Sequence, residues 1–99
     1  MTTKENIIEA CAQAWDVTRE DIMGKSRQIN IAEARHYSRW YMYIRLGMTC
    51  VEIADYFGCT HAAVLNSIHR VWEWDKPGYY YQKKMMNIVK GILKGGNHE

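Results

Sequence analysis

The sequence predicts an all-α fold: a small bundle of five to six helices in one domain covering residues 1–99. Three observations predict it. The 99 residues contain no sustained alternation of polar and apolar side chains and no Asn-Gly or Asp-Gly turn, so the signals of strands and hairpins are missing. Apolar residues recur instead three, four and seven apart, the spacing that lines one face of an α-helix. Thr-x-x-Asp/Glu boxes, glycines and a single proline give each periodic stretch a start and a stop. With 47% hydrophobic and 24% charged residues, the composition is that of a folded chain. Four Trp and seven Tyr add buried area that so short a chain would otherwise lack.

The elements follow in order. Thr2 and Glu5 form a capping box, which satisfies two free amides reciprocally. Ile7, Ile8, Cys11 and Trp15 then share one helical face. Thr18 and Asp21 repeat the device and open a short helix that stops at Gly24, after which "KSRQI" is a loop. Asn30 with Glu33 caps a long third helix running to Gly47. Its apolar stripe is Ile31, Ala34, Tyr37, Tyr41 and Ile44, with Trp40 and Tyr43 off it, and it is expected to be the most buried helix. Thr49 and Glu52 open a helix that ends at Gly58. The next begins near Thr60 with Val64, Ile68, Val71 and Trp72 facing inward. Pro77 and Gly78 break the chain after Asp75. The last helix carries Tyr81, Met85, Ile88, Val89 and Ile92 in one stripe, and the tail from about 95 to 99 is expected to fray.

Composition excludes several classes of function. No apolar run approaches the roughly 20 residues of a membrane span. "MTTKENIIEA" has acids where a secretory signal needs an apolar stretch. Cys11, Cys50 and Cys59 cannot all pair, which fits reduced thiols in the cytoplasm. Cys50, Cys59, His61 and His69 include no Cys-x-x-Cys, so no metal is expected. Cys59 and His61 are poorly aimed at each other for nucleophilic catalysis and lack a third, orienting group. A Gly-rich Lys-Ser/Thr loop is also absent. The expectation is no enzyme, no cofactor and no membrane. The net charge of +2 is weak evidence, but charge is segregated. Residues 25–45 hold Lys25, Arg27, Arg35, Arg39 and Arg45 against Glu33 alone, and 76–98 hold five lysines and no acid. Between them, 49–75 set Arg70 against Glu52, Asp55, Glu73 and Asp75.

The stretch "EIADYFGCTHAAVLN", residues 52–66, places Ala54 and Gly58 four apart where two helices join. Ile53, Phe57, Val64 and Ile68 supply apolar contacts between them. A steep crossing through a short turn needs a small residue at the approach and one tolerating positive φ at the corner; these are the needs of a helix-turn-helix. From about Gly24 to Val71 the chain resembles the C-terminal DNA-binding domain of the bacterial replication initiator DnaA. That domain belongs to the helix-turn-helix group that includes the tryptophan repressor. "GKSR" stands where the family has a basic loop, and Ala32 and Arg35 match the Ala-x-x-Arg of its long helix. Thr49 matches its capping Ser/Thr, and "EIADYFG" matches Glu-Ile-Gly and Phe-Gly, with Ala54 for the glycine. The family's corner reads Gly-x-Arg-Asp-His-Thr-Thr-Val. Here it reads "GCTHAAV", one residue shorter and without the Arg; Thr60 replaces Asp, Ala62 and Ala63 replace the two threonines, and His61 and Val64 match directly.

The resemblance implies a protein of bacterial or phage type that binds double-stranded DNA, regulatory in replication or transcription, in the cytoplasm at the nucleoid. Phosphate contacts give affinity and register, and base edges give sequence preference. Lys25, Arg27, Arg35, Arg39, Thr49 and Arg70 are the candidate phosphate contacts; Arg27 alternatively enters a minor groove, the family's use of its loop. Thr60, His61, Ala62 and Asn66 are the candidate base readers, Asn66 suited to adenine and Ala62 to a thymine methyl. Plainer readings stand beside these. Arg35 and Arg39 would form a solvated face paired with Glu33 or Asp55, and His61 would simply bond backbone at a helix start. The alternative function is a protein-interaction module, with a protein partner or second copy docking on Trp74, Tyr79 and Tyr80 around Pro77.

Overall fold

In the computed structural model, which describes residues 2–96, six α-helices follow one another: α1 (Lys4–Trp15), α2 (Arg19–Met23), α3 (Ile29–Arg45), α4 (Cys50–Phe57), α5 (His61–Glu73) and α6 (Tyr80–Gly96). Among the described residues there is no strand, and no helix is long and apolar enough to cross a membrane. The architecture is all-α, as the periodicity predicts.

The α3 helix is the axis. It packs against α1, α2, α4 and α5, while α6 lies along α1. At the centre Trp15, Tyr37 and Trp74 bring together α1, α3 and the end of α5. The Trp15 ring lies 5.8 Å from that of Tyr37 and 6.2 Å from that of Trp74. Glu33 ties the periphery to this axis, because its two carboxylate oxygens accept Trp15 Nε1 at 3.1 Å and Gln82 Nε2 at 2.7 Å. It therefore bridges α1 and α6 to α3 and pairs with no arginine.

The capping boxes at Thr18/Asp21 and Thr49/Glu52 both form. The first expected box does not. The first helical residue is Lys4, so it is Thr3, not Thr2, whose hydroxyl reaches the Asn6 amide at 3.1 Å. Nor does Asn30 cap α3. That helix starts at Ile29 with Gln28 before it and no side-chain cap, which places Asn30 inside the first turn, where it cannot reach forward.

Three apolar stripes also need correction. On α3, Met42 is buried and Ile44 is exposed. On α6, Met85, Met86, Val89 and Leu93 are buried while Tyr81 and Ile88 are exposed, because only one helix, α1, covers that face extensively. On α5 the inward residues are Val64, Ser67, Ile68 and Val71, and Trp72 is 49% exposed. Trp74, expected on an exposed docking patch, is only 4% exposed. It caps the end of α5, where helical spacing no longer dictates direction, and folds back onto Trp15 and Tyr37. The α6 helix continues to Gly96, past the expected onset of fraying, and the rest of that expected tail, 97–99, lies outside the described residues.

Candidate nucleic-acid interface

The α4–α5 corner follows from a few local requirements. Gly58 has φ +66° and ψ +40°, a conformation that costs a side-chain-bearing residue about 1 kcal/mol or more. It lets the Cys59 amide turn back to the Ala54 carbonyl at 3.0 Å, closing the end of α4. Thr60 is extended, and its hydroxyl accepts the Ala63 amide at 3.1 Å, which starts α5. Ile53 and Phe57 from α4 and Val64 and Ile68 from α5 are all buried, so apolar packing fixes the crossing of the two helices.

Beside this corner lies a cleft of about 920 Å³. One wall is the 24–27 loop with Lys25 and Arg27, the floor is Arg35, His36 and Arg39 of α3, and the other wall is Thr60, Ala63, Asn66 and Arg70 of α5. No carboxylate of the described residues lines it. The acidic residues of the middle segment are elsewhere. Glu52 and Asp55 lie around a separate depression with Thr3, Lys4 and Tyr56, and Glu73 binds Lys76 at 3.0 Å.

The basic residues of the cleft differ in what they are free to do. Arg35 is 8% exposed, and all three of its nitrogens donate to carbonyls: Nε to Ile22 at 2.8 Å, Nη1 to Ser26 at 2.8 Å and Nη2 to Asp21 at 2.9 Å. It pins the end of α2 and the basic loop to α3. That occupation, which sequence reasoning did not foresee, corrects the expectation of a free phosphate-gripping side chain, and neither Glu33 nor Asp55 pairs with it. Burial pushes its pKa down, and Asp21 partly offsets this. Arg39 is 7% exposed; its Nη1 donates to Ser67 Oγ at 3.1 Å and its guanidinium lies 4.7 Å from the Phe57 ring centre. Its Nε is buried with no partner. Lys25, Arg27 and Arg70 are exposed.

Two residues escaped sequence reasoning: His36, which lines the cleft, and Ser67, which is fully buried and bonded to His36. Ser67 Oγ accepts from Arg39 and lies 2.7 Å from His36 Nδ1. Since an arginine can only donate, the serine proton is available to His36, which fits a ring protonated on Nε2. Burial, then the charges of Arg39, Arg70 and Arg35, hold the His36 pKa down at about 4. A small polar residue facing the core at a helical spacing from Val64 and Val71 is the only hint the sequence holds of Ser67.

Of the expected base readers, Thr60, His61, Ala62 and Asn66 are all exposed at the start of α5 or on its outer side, and Leu65 and His69 are exposed with them. Thr49 does not line the cleft. It sits at the opposite end of α4, a helix of eight residues and so about 12 Å long, with its hydroxyl accepting the Glu52 amide.

The sequence matches the bacterial dnaA protein helix-turn-helix family over residues 4–71, a match that begins at α1 rather than at the basic loop. It is similar to the chromosomal replication initiator protein DnaA of Mesoplasma florum, 34% identical over 89 residues, which are 89% of this chain and 19% of that protein. The same protein of Synechococcus sp. is 24% identical over 91 residues, 91% of this chain and 20% of the relative. That of Thermotoga petrophila is 27% identical over 89 residues, 90% of this chain and 20% of the relative. The chain thus spans about a fifth of the length of the curated relatives it matches.

Proposed function

This chain belongs to the bacterial DnaA helix-turn-helix family, and from that premise we propose that it binds double-stranded DNA in a partly sequence-dependent way. On this reading α5 is lowered into the major groove while Lys25 and Arg27 of the loop and Arg70 of α5 grip the phosphates, Arg27 alternatively entering an adjacent minor groove. His61, Ala62 and Asn66 read base edges, with Leu65 and His69 widening the reading face. Regulation of replication or transcription at the nucleoid is the role that fits a DNA-binding unit of this family.

The observation that supports this most is the shared cleft that joins loop, α3 and α5, with no carboxylate among the described residues that line it. A duplex can meet the basic loop and the reading helix together, and the helix therefore need not be basic itself. Enrichment from random duplex oligonucleotides tests the reading. A recovered motif that changes with Asn66→Ala supports it; the absence of any duplex binding at low salt ends it. With Trp74 in the core, the alternative docking patch is reduced to Tyr79 and Tyr80 and loses its central anchor.

A further inference from the structure

We propose that the cleft between the 24–27 loop, α3 and the first turns of α5 is a seat for one phosphate group, with Arg39 as the residue that recognises it. A guanidinium removed from water is ordinarily matched to a carboxylate or a phosphate, because an unpaired buried cation is costly. Arg39 has no such match among the described residues. Among those residues its only hydrogen bond goes to a neutral hydroxyl, its Nε is buried without a partner, and no acid lines the cleft that it faces. The other buried side-chain polar atoms without a partner among the described residues, Tyr37 Oη and Trp40 Nε1, are neutral and belong to the aromatic cluster.

A second, independent feature points the same way. The α5 helix has 13 residues, and its first turn borders the cleft through Thr60 and Ala63. The Ala63 amide is already taken by the Thr60 hydroxyl, so what this helix start brings to the cleft is the positive end of the helix dipole. Arg35, with its donors on carbonyls, holds the loop wall in place and adds positive potential. His36 is kept neutral by burial and by the charges of Arg39, Arg70 and Arg35, and so adds no further charge of its own.

The cleft, at about 920 Å³, is larger than one phosphate group. It therefore has room for the group attached to something bigger, a duplex backbone or a small phosphorylated molecule. The shared chemistry is a tetrahedral oxyanion. The duplex source rests on the DNA reading above; the seat does not.

Nuclear magnetic resonance of the full chain tests this, following Arg39 Nε–Hε and the Thr60 and Ala63 amides. Inorganic phosphate is titrated against chloride at equal ionic strength, and a mixed-sequence duplex is titrated separately. A saturable shift of Arg39 with phosphate supports the seat, and a shift with the duplex alone supports it as a backbone contact. A shift with phosphate and no duplex binding leaves the seat standing for a small phosphorylated molecule while the DNA reading fails. Duplex binding that moves His61 and Asn66 but leaves Arg39 and Ala63 still, with phosphate inert, overturns the seat and spares the DNA reading. No response to either overturns both. Arg39→Met keeps the side-chain bulk and should weaken whichever ligand binds about tenfold, with Arg39→Lys between it and the natural chain. If Arg39→Met does not fold, the resonance of Arg39 in the natural chain decides alone.

Discussion

His36 is held neutral by its surroundings, and that neutrality has a consequence for stability. Its ring faces Ser67 and Arg70 from α5 and Arg35 and Arg39 from its own helix, and its pKa is held at about 4 against an ordinary 6.5. The folded state therefore takes up this proton later than the unfolded chain as pH falls. The contribution is complete above about pH 6.5 and is lost as pH drops toward 4. By linkage it amounts to ~2 kcal/mol lost at pH 5 relative to neutral pH. Urea unfolding at pH 7 and pH 5 should show that loss in the natural chain and much less in His36→Gln; an equal loss in both would remove the argument. Neither this histidine nor the role of Arg35 was legible in the sequence. The Ala32/Arg35 spacing located the arginine correctly, but its three acceptors are carbonyls of residues 21, 22 and 26, and main-chain oxygens leave no trace in residue type. Gly58, by contrast, was legible, because a turn that needs positive φ selects its residue by sterics alone.

At the level of elements, helices could be read where a local rule had a single solution. The Thr18 and Thr49 boxes formed as expected because one threonine and one acid were in register. The first box failed where two adjacent threonines competed, and a boundary shift of one residue decided between them. Faces were legible where neighbours cover both flanks, as on α5 from Val64 to Val71, and less so on α6, which leans mainly on one helix. The two tryptophans at the end of α5 show the cost of extending helical periodicity past a cap. Trp72 follows the helix and is half-exposed beside His69, while Trp74 leaves it and is buried between Trp15 and Tyr37. Trp74→Ala should accordingly cost about 3–5 kcal/mol in denaturant unfolding, and Trp72→Ala less than about 1 kcal/mol. The reverse order would mean that the aromatic core is misassigned. It also follows that loss of a partner on Trp74→Ala would report unfolding rather than a missing docking anchor.

For the molecule as a whole, the segregation of charge along the sequence becomes a division between two basic regions in space. Lys25, Arg27 and Arg70 border the cleft beside α5, whereas Arg45, Lys90 and Lys94 surround a different depression with Tyr41. Composition alone made these groups equivalent; folding separates those that share a cleft with α5 from those that belong to another surface. Salt dependence distinguishes them, since each neutralised phosphate contributes roughly 0.9 to the slope of log affinity against log salt. Lys25→Ala, Arg27→Ala and Arg70→Ala should each flatten that slope by about one while weakening all sequences alike. Lys90→Ala and Lys94→Ala should leave it unchanged. Arg35→Ala should lower affinity by releasing the loop that carries Lys25 and Arg27, so its effect should be largely absent when those two are already alanine, the non-additivity expected of residues acting through one structure. If instead the lysines of α6 carry the slope and the loop does not, the duplex lies across the wrong surface for α5 to read it, and the proposed orientation is lost whatever the affinity.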